Sequence, residues 1–350
     1  LAWLAALAKE QGDRIPVRLV KGAYWDSEIK LCQQRGITGY PVYTRKESTD
    51  VSYLACANFL LSEHTRGNIF PQFASHNAHT IATIACIAEQ LGASTEEYEF
   101  QRLHGMGDAL YNSLIKDSNI CVRIYAPVGS HKDLLPYLVR RLLENGANSS
   151  FVHRLIDARC PVADLVEHPV TTLERRKSLA NPHIKLPHEL FDDRKNSFGP
   201  NIEIDSDWTP FKAQIDTFMG QDTQWRAFPI VGGQNIATNN TKPVVSAYNH
   251  KETAGQVDWA DTTTVAKAID LAQAAFPAWS SKPASERADC LDRMADLMEE
   301  NYAELMALCH REAGKTIQDS IDEVREAVDF CRYYAQQARS HFASPTQYTD

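Results

Sequence analysis

The stretch Arg18–Glu28, RLVKGAYWDSE, brings a permanent cation, a flexible loop and two large aromatics directly behind a strand-like run. Val17–Val20 is partly β-branched and bounded by Pro16 and Gly22, the pattern of a buried strand of a parallel sheet. Arg18 then faces an interior or a pocket. A guanidinium cannot lose its charge there, so it needs a polar or anionic partner, and Gly22 lets the backbone approach a ligand closely. Histidines also draw attention, above all His76, His79 and His104. No HxxH or HExxH pair carries a carboxylate at metal-ligand spacing, so no metal site is expected. Farther on, Tyr137, Arg140, Arg141 and Glu144 fall three or four residues apart on one helical face. Spacing alone fits a solvated face with an arginine–glutamate pair.

Elements that could position these residues follow in a regular rhythm. Strand-like runs at Val17–Lys21, Ile69–Ala74, Tyr98–Leu103 and Ile120–Tyr125 are each followed by a helical pattern, the regime of a parallel α/β fold. No GxGxxG follows any of them. Four such units are half of an eight-stranded barrel, whose sites lie at the C-terminal ends of the strands. The residues with chemical potential cluster there: Lys21–Trp25, Ser75–Asn77, His104–Gly107 and Tyr125–Gly129.

The segments VRLVKGAYWDSEIK, VYTRK, FASHNAHT, FQRLHGMG, RIYAPVG and YLVRRLLENGAN occur in one order between residues 14 and 160. In words, order and spacing this region resembles the proline dehydrogenase half of the bifunctional proline utilization A flavoenzymes. A second resemblance, to the start of an aldehyde dehydrogenase module, covers roughly 226–343 and includes HREAGKTIQDSIDEVREAVDF. The fold this implies is α/β: the last four βα units of a partial (β/α)8 barrel over 1–160, a linker with short helices over 161–225, and the helical N-terminal part of an aldehyde dehydrogenase fold over 226–350.

The resemblance implies FAD-dependent oxidation of L-proline to 1-pyrroline-5-carboxylate, joined to NAD-dependent oxidation of glutamate semialdehyde. Arg18 would sit beside flavin N5, where a cation stabilises the charge left when hydride arrives. Non-covalent FAD would be cradled by Arg18, Val20, Lys21, Gly22, Ala23, Tyr24, Trp25, Thr44, Lys46, Ser75, His76, Asn77, Gln101 and Glu144. Arg140 and Arg141 would hold the substrate carboxylate, a task suited to forked donors. Tyr125 and Tyr137 would wall the proline ring, with Leu103 adding apolar contact. Aromatic walls also serve barrel cores, and Lys46 also fits a surface lysine.

Further expectations come with the family. A membrane quinone would accept the electrons, so the protein would be cytoplasmic, a homo-oligomer, and peripherally associated with the inner membrane when reduced. DNA would be a partner only through a domain upstream of Leu1, which is the alternative role of a proline-responsive transcriptional repressor. The family's site also uses a lysine and an aspartate on barrel strands earlier than any here, so these 350 residues are expected to be cut from a longer chain and to lack both activities alone. The aldehyde dehydrogenase cysteine, asparagine and glutamate are expected beyond Asp350. A monofunctional flavin-dependent imino-acid oxidoreductase is the alternative enzyme.

Composition excludes other classes. The chain has 43% hydrophobic and 23% charged residues, as in an ordinary globular protein, and no run approaches the length of a bilayer span. Net charge is −9, and the lone basic cluster, Arg175, Arg176 and Lys177, makes no footprint for nucleic acid. Eight cysteines without CxxC spacing fit free thiols. Cys290, Cys309 and Cys331 lie at helical spacing among apolar neighbours and read as core.

From Cys160 to Trp225 prolines punctuate a connector. Phe228–Gly233 and Lys242–Tyr248 read as strands. Thr263–Ser280, Ser285–Ala313 and Ile317–Phe342 read as helices, with Gly314 a natural stop.

Overall fold

In the first unit, hydrophobic alternation builds a sheet with two unlike faces. A computed structural model describes residues 1–22, 24–140, 161, 167–220 and 225–344. Its strands β1 (Ile15–Leu19), β2 (Ile69–Ala74), β3 (Glu99–Leu103) and β4 (Cys121–Tyr125) are all parallel and lie side by side in chain order. Helix α1 (Ala2–Gln11) precedes them, α2 (Trp25–Arg35) and α3 (Lys46–Leu61) follow β1, α4 (Ala78–Gln90) follows β2, and α5 (Asp108–Asp117) follows β3. Consecutive parallel strands joined by helices are what a segment of a β/α barrel requires, because each crossover carries the chain one strand along in the same direction.

One face of this sheet carries Ile15, Val17, Leu19, Ile69, Phe73, Phe100 and Val122 into a core shared with Tyr53, Leu60, Ile81, Ile84 and Tyr111 of the helices. Period-two alternation therefore puts Arg18, Gln72, Glu99, Gln101, Arg123 and Tyr125 together on the other face. Strand β1 begins two residues before the expected Val17 and ends before Lys21. Pro16 is tolerated in it because β1 stands at the edge of the described sheet. Lys21 lies beyond the ladder, and its ammonium is bound to Asp50 and Thr80.

Contacts divide the chain into two compact units, residues 1–27 with 41–184, and 28–40 with 185 onward. The first also contains a helical run at 131–140 and the short α6 (Pro169–Glu174). Helices α7 (Asp205–Phe218), α8 (Thr262–Ser280), α9 (Ala284–Glu300), α10 (Tyr302–Ala313) and α11 (Ile317–Phe342) dominate the second. Its core gathers Ile215, Ala295, Tyr302, Met306, Ala307, Ile321, Val324 and Val328.

Here the expected elements need three corrections. Ser285–Ala313 is two helices, because Asn301 breaks the run and folds its side-chain amide back onto the Leu297 carbonyl (2.8 Å). Phe228–Gly233 is a hairpin of β6 (Ile230–Val231) and β7 (Gln234–Asn235) rather than one strand. The strand β9 (Thr253–Asp258), unforeseen in the sequence, lies between β5 (Trp225–Ala227) and β8 (Thr241–Val245). Its Gly255 hid it from β propensity. A Cβ there would stand 2.5 Å from the Trp225 carbonyl oxygen, so glycine is what lets the neighbouring strand approach. Gly314, at φ 68°, ends α10 as expected. Among the described residues no helix is long and apolar enough to cross a membrane, and no cluster of His, Cys, Asp or Glu could hold a metal.

Candidate active site

Strand ends of the first unit bring most of the expected residues into four groups. The first lies on the polar face of the sheet. Arg18 donates through Nε to Gln101 Oε1 at 2.6 Å, and its guanidinium stands 5.1 Å from the Tyr125 ring centre. Gln101 Nε2 donates to Glu99 (2.7 Å), as does Gln72 Nε2 (2.9 Å). Arg123 clamps the same carboxylate with Nε and Nη2 at 2.7 and 2.8 Å. Burial alone would raise the Glu99 carboxyl, but Arg123 and the two amides hold it below the usual carboxylate range. The Glu99 carboxylate is therefore already paired, and Arg18, exposed rather than interior as expected, keeps a neutral partner.

The second group surrounds Lys21. Its ammonium donates to Asp50 Oδ1 (2.6 Å) and Thr80 Oγ1 (3.0 Å) and sits 5.0 Å from the Tyr53 ring centre. Lys46 reaches the other Asp50 oxygen from one helical turn earlier. Desolvation lowers the Lys21 pKa, partly countered by Asp50. Burial would raise the Asp50 carboxyl, yet Lys21 and Lys46 bring it below its ordinary value. Two cations on one carboxylate leave a net positive site, which suits a phosphate-bearing ligand.

Third comes the end of β2. Ser75 Oγ accepts from the Asn77 N–H (3.2 Å), and Asn77 caps α4 by accepting from the Thr80 N–H (3.1 Å). His76 Nε2 accepts from the Leu103 N–H (3.1 Å), which ties the end of β2 to the end of β3. Two buried tyrosines bolt the same ends. Tyr53 donates to the Leu19 and Ala74 carbonyls (3.2 and 3.3 Å), and Tyr111 to those of Ser75 and Gln101. Burial raises both phenols well above the ordinary range, so they remain donors.

In the fourth group the helical run 131–140 contributes aromatic and cationic contacts. Tyr137 stands 6.2 Å from Tyr125, ring centre to ring centre, and the Arg140 guanidinium lies 3.9 Å over the Tyr24 ring. Gly22, at φ 77°, has nothing within 4 Å of where a Cβ would lie. Val20 and Tyr24 are exposed. Trp25 donates to the Tyr43 carbonyl (2.8 Å) and Thr44 accepts from the Asn181 N–H (2.9 Å), so both already brace the loop between α2 and α3. Ala23, Arg141 and Glu144 lie outside the described residues.

Sequence reasoning missed Asp50, Thr80, Gln72, Glu99 and Arg123. Lys46 and Asp50, four apart on one helix, were a usable signal. So were the polar residues alternating in IFPQFA and EFQRL, since a helix-covered strand spends its second face on something other than core. In the second unit, burial raises the thiols of Cys309 and Cys331, as structural cysteines require, whereas Cys290, read as core, is exposed on α9.

Comparisons with known proteins agree with this division of labour. Residues 1–154 match the family described as Proline dehydrogenase, and residues 236–348 the Aldehyde dehydrogenase family. The chain is 45% identical over 356 residues to the bifunctional protein PutA of Escherichia coli (strain K12), covering 98% of this chain and 26% of that protein. It is 41% identical over 345 residues to the protein of the same name from Rhizobium meliloti, covering 97% and 27%. A crystal structure of bifunctional proline utilization A (PutA) protein matches with a TM-score of 0.76 at 43% identity, over 99% of this chain and 32% of that one. The chain thus spans about a quarter of the length of these curated relatives.

Proposed function

Since this chain belongs to the bifunctional proline utilization A family, we propose that its first region serves FAD-dependent oxidation of L-proline to 1-pyrroline-5-carboxylate and its second NAD-dependent oxidation of glutamate semialdehyde to glutamate. One observation carries the flavin part. Arg18 is held by a neutral amide while the buried carboxylate beside it is spent on Arg123. Its charge is thereby left for an incoming anion, and among the described residues its two Nη groups have no protein partner. FAD, when bound, would supply a two-electron acceptor that gains negative charge on reduction.

The donor set fits that group. Arg18 would stabilise the developing charge. Lys21 and Lys46, sharing Asp50, would meet phosphate oxygens, and the Gly22 turn would let the backbone come close. Ser75, His76 and Asn77 would border the cofactor from the end of β2. Arg140, with Arg141 after it, would bind the proline carboxylate. Tyr125, Tyr137 and Leu103 would enclose the ring and orient the carbon beside its nitrogen. A membrane quinone as acceptor, cytoplasmic location with peripheral attachment to the inner membrane, and homo-oligomerisation complete the proposal. Domain limits at 160 and 225 would separate the two catalytic regions. Residues 236–348 weigh against a monofunctional imino-acid oxidoreductase.

Arg18→Met in the full-length enzyme tests this. Flavin reduction should slow and its potential fall, while the KM for proline changes little. Wild-type potential and reduction rate would make Arg18 a structural residue.

A further inference from the structure

We infer that Glu99, acting through Gln101, orients the Arg18 guanidinium, which makes Glu99 a positioning residue for the reaction; this rests on the flavin-facing role of Arg18 proposed above. Glu99 has no exposed surface. A carboxylate in that position is costly unless its oxygens are saturated by donors. It accepts from Gln72, from Gln101 and twice from Arg123, all within 2.9 Å. Cys121 Sγ lies 4.0 Å from the second oxygen. Its charge is thus maintained, and the donors that maintain it are themselves fixed.

Gln101 is the link. The two ends of its amide have nearly the same shape, so packing does not distinguish them. Glu99 does. With Nε2 on the carboxylate (2.7 Å), Oε1 must point to Arg18 Nε (2.6 Å). The flipped amide would set oxygen against carboxylate and N–H against N–H. A neutral acceptor at position 99 removes this preference, whereas Glu99 imposes it without lending its charge to Arg18. A guanidinium is planar, so holding Nε while the Tyr125 ring lies beside it, 5.1 Å from ring centre to guanidinium, limits the directions of both Nη groups. Strand geometry makes the chain of contacts possible. Arg18 stands opposite Gln72, Gln72 opposite Glu99, and Gln101 opposite Arg123 in the ladders.

The test uses the full-length enzyme carrying FAD, with Glu99→Gln and Gln101→Leu made singly and each combined with Arg18→Met. The readouts are the flavin reduction potential and the KM for proline. Each single variant should shift the reduction equilibrium about tenfold toward oxidised flavin, about 30 mV for a two-electron couple, with KM within about twofold of wild type. In the Arg18→Met background neither should add a further shift. Wild-type potentials in both single variants, beside a shifted Arg18→Met, would overturn the positioning role and leave the role of Arg18 standing. Shifts that persist undiminished without Arg18 would also overturn it, because Gln101 and Glu99 would then act on the flavin directly. An unshifted Arg18→Met would overturn the function of Arg18 itself, and the positioning role with it. If Glu99→Gln does not fold, Gln101→Leu decides, since it leaves the Glu99–Arg123 pair intact.

Discussion

In the first unit a carboxylate without exposed surface, Glu99, is held by Arg123, whose side chain is 60% exposed. In the second the order is reversed. Arg332 is 6% exposed and binds Glu299 and Asp296, which are 29% and 55% exposed. Arg332 takes Glu299 with both Nη groups (3.1 and 2.7 Å) and Asp296 with Nη2 (3.2 Å), joining α11 to α9. That network staples two helices. The Glu99 network instead passes through an amide to another cation, Arg18. A buried ion pair is weak evidence for stability and better evidence for specified geometry, and the contrast shows where to look for the difference. It lies in whether any member of the network touches a charged group left uncompensated.

The largest effect should separate the two networks by what each deletion leaves behind. Arg123→Met leaves Glu99 with only the Gln72 and Gln101 amides as donors, so hydrogen exchange should report a greater loss of stability in the first unit than Arg332→Met causes in the second. Because the carboxylates around Arg332 can rehydrate, about 2–3 kcal/mol is expected there, below the range for breaking a fully buried pair. Equal losses would break the comparison. Next in size, Arg140→Ala should raise the KM for proline about ten- to a hundredfold, as loss of a charge-assisted bond to a carboxylate costs about 1.5–3 kcal/mol. Arg332→Met, assayed beside it, should leave that KM unchanged.

Helix caps give a smaller and more symmetrical pair. Asn77 caps α4 and Thr316 caps α11, each by accepting a backbone N–H. Alanine at either should cost about 1 kcal/mol in local stability by hydrogen exchange. Only Asn77→Ala should also weaken retention of FAD, measured by equilibrium dialysis. The smallest effect at working pH concerns protonation of Glu99. Its folded-state pKa is lowered, so its stabilising contribution is fully present above the ordinary glutamate range and is lost as pH falls through the depressed value. A carboxyl-carbon titration of Glu99 by NMR should therefore show it still ionised where exposed glutamates have become protonated. Protonation along with them would mean that Arg123 does not hold it.

Much of the first unit was legible because its signals are local. Strand β2 runs over Ile69–Ala74 as read, and β3 and β4 differ from the reading by one residue at their starts. Helix α11 spans Ile317–Phe342 as expected. What failed was interruption and centrality. Nothing in the run Ser285–Ala313 except Asn301 announces the break, and β9 contains Gly255 and Asp258, residues that propensity sets against a strand. Asp258 is buried on Thr241, the Thr238 N–H and Arg226, partners that only folding supplies.

By itself the sequence determined the kinds of element, their order, and a family whose motifs place Arg18, Lys21, His76 and Arg140 at strand ends or on a helix behind them. It also determined that Arg18 carries a permanent charge for which a polar partner is favourable. Which partner it finds was decided by tertiary structure. Gln101 is 83 residues away in the chain, and it meets Arg18 through the registers of three strands and the pleat that turns alternate side chains to one face. Glu99 and Arg123 lie on that same face and pair with each other. A charge's partner is a matter of a few ångströms in space, and along the sequence those ångströms are not written at any fixed spacing.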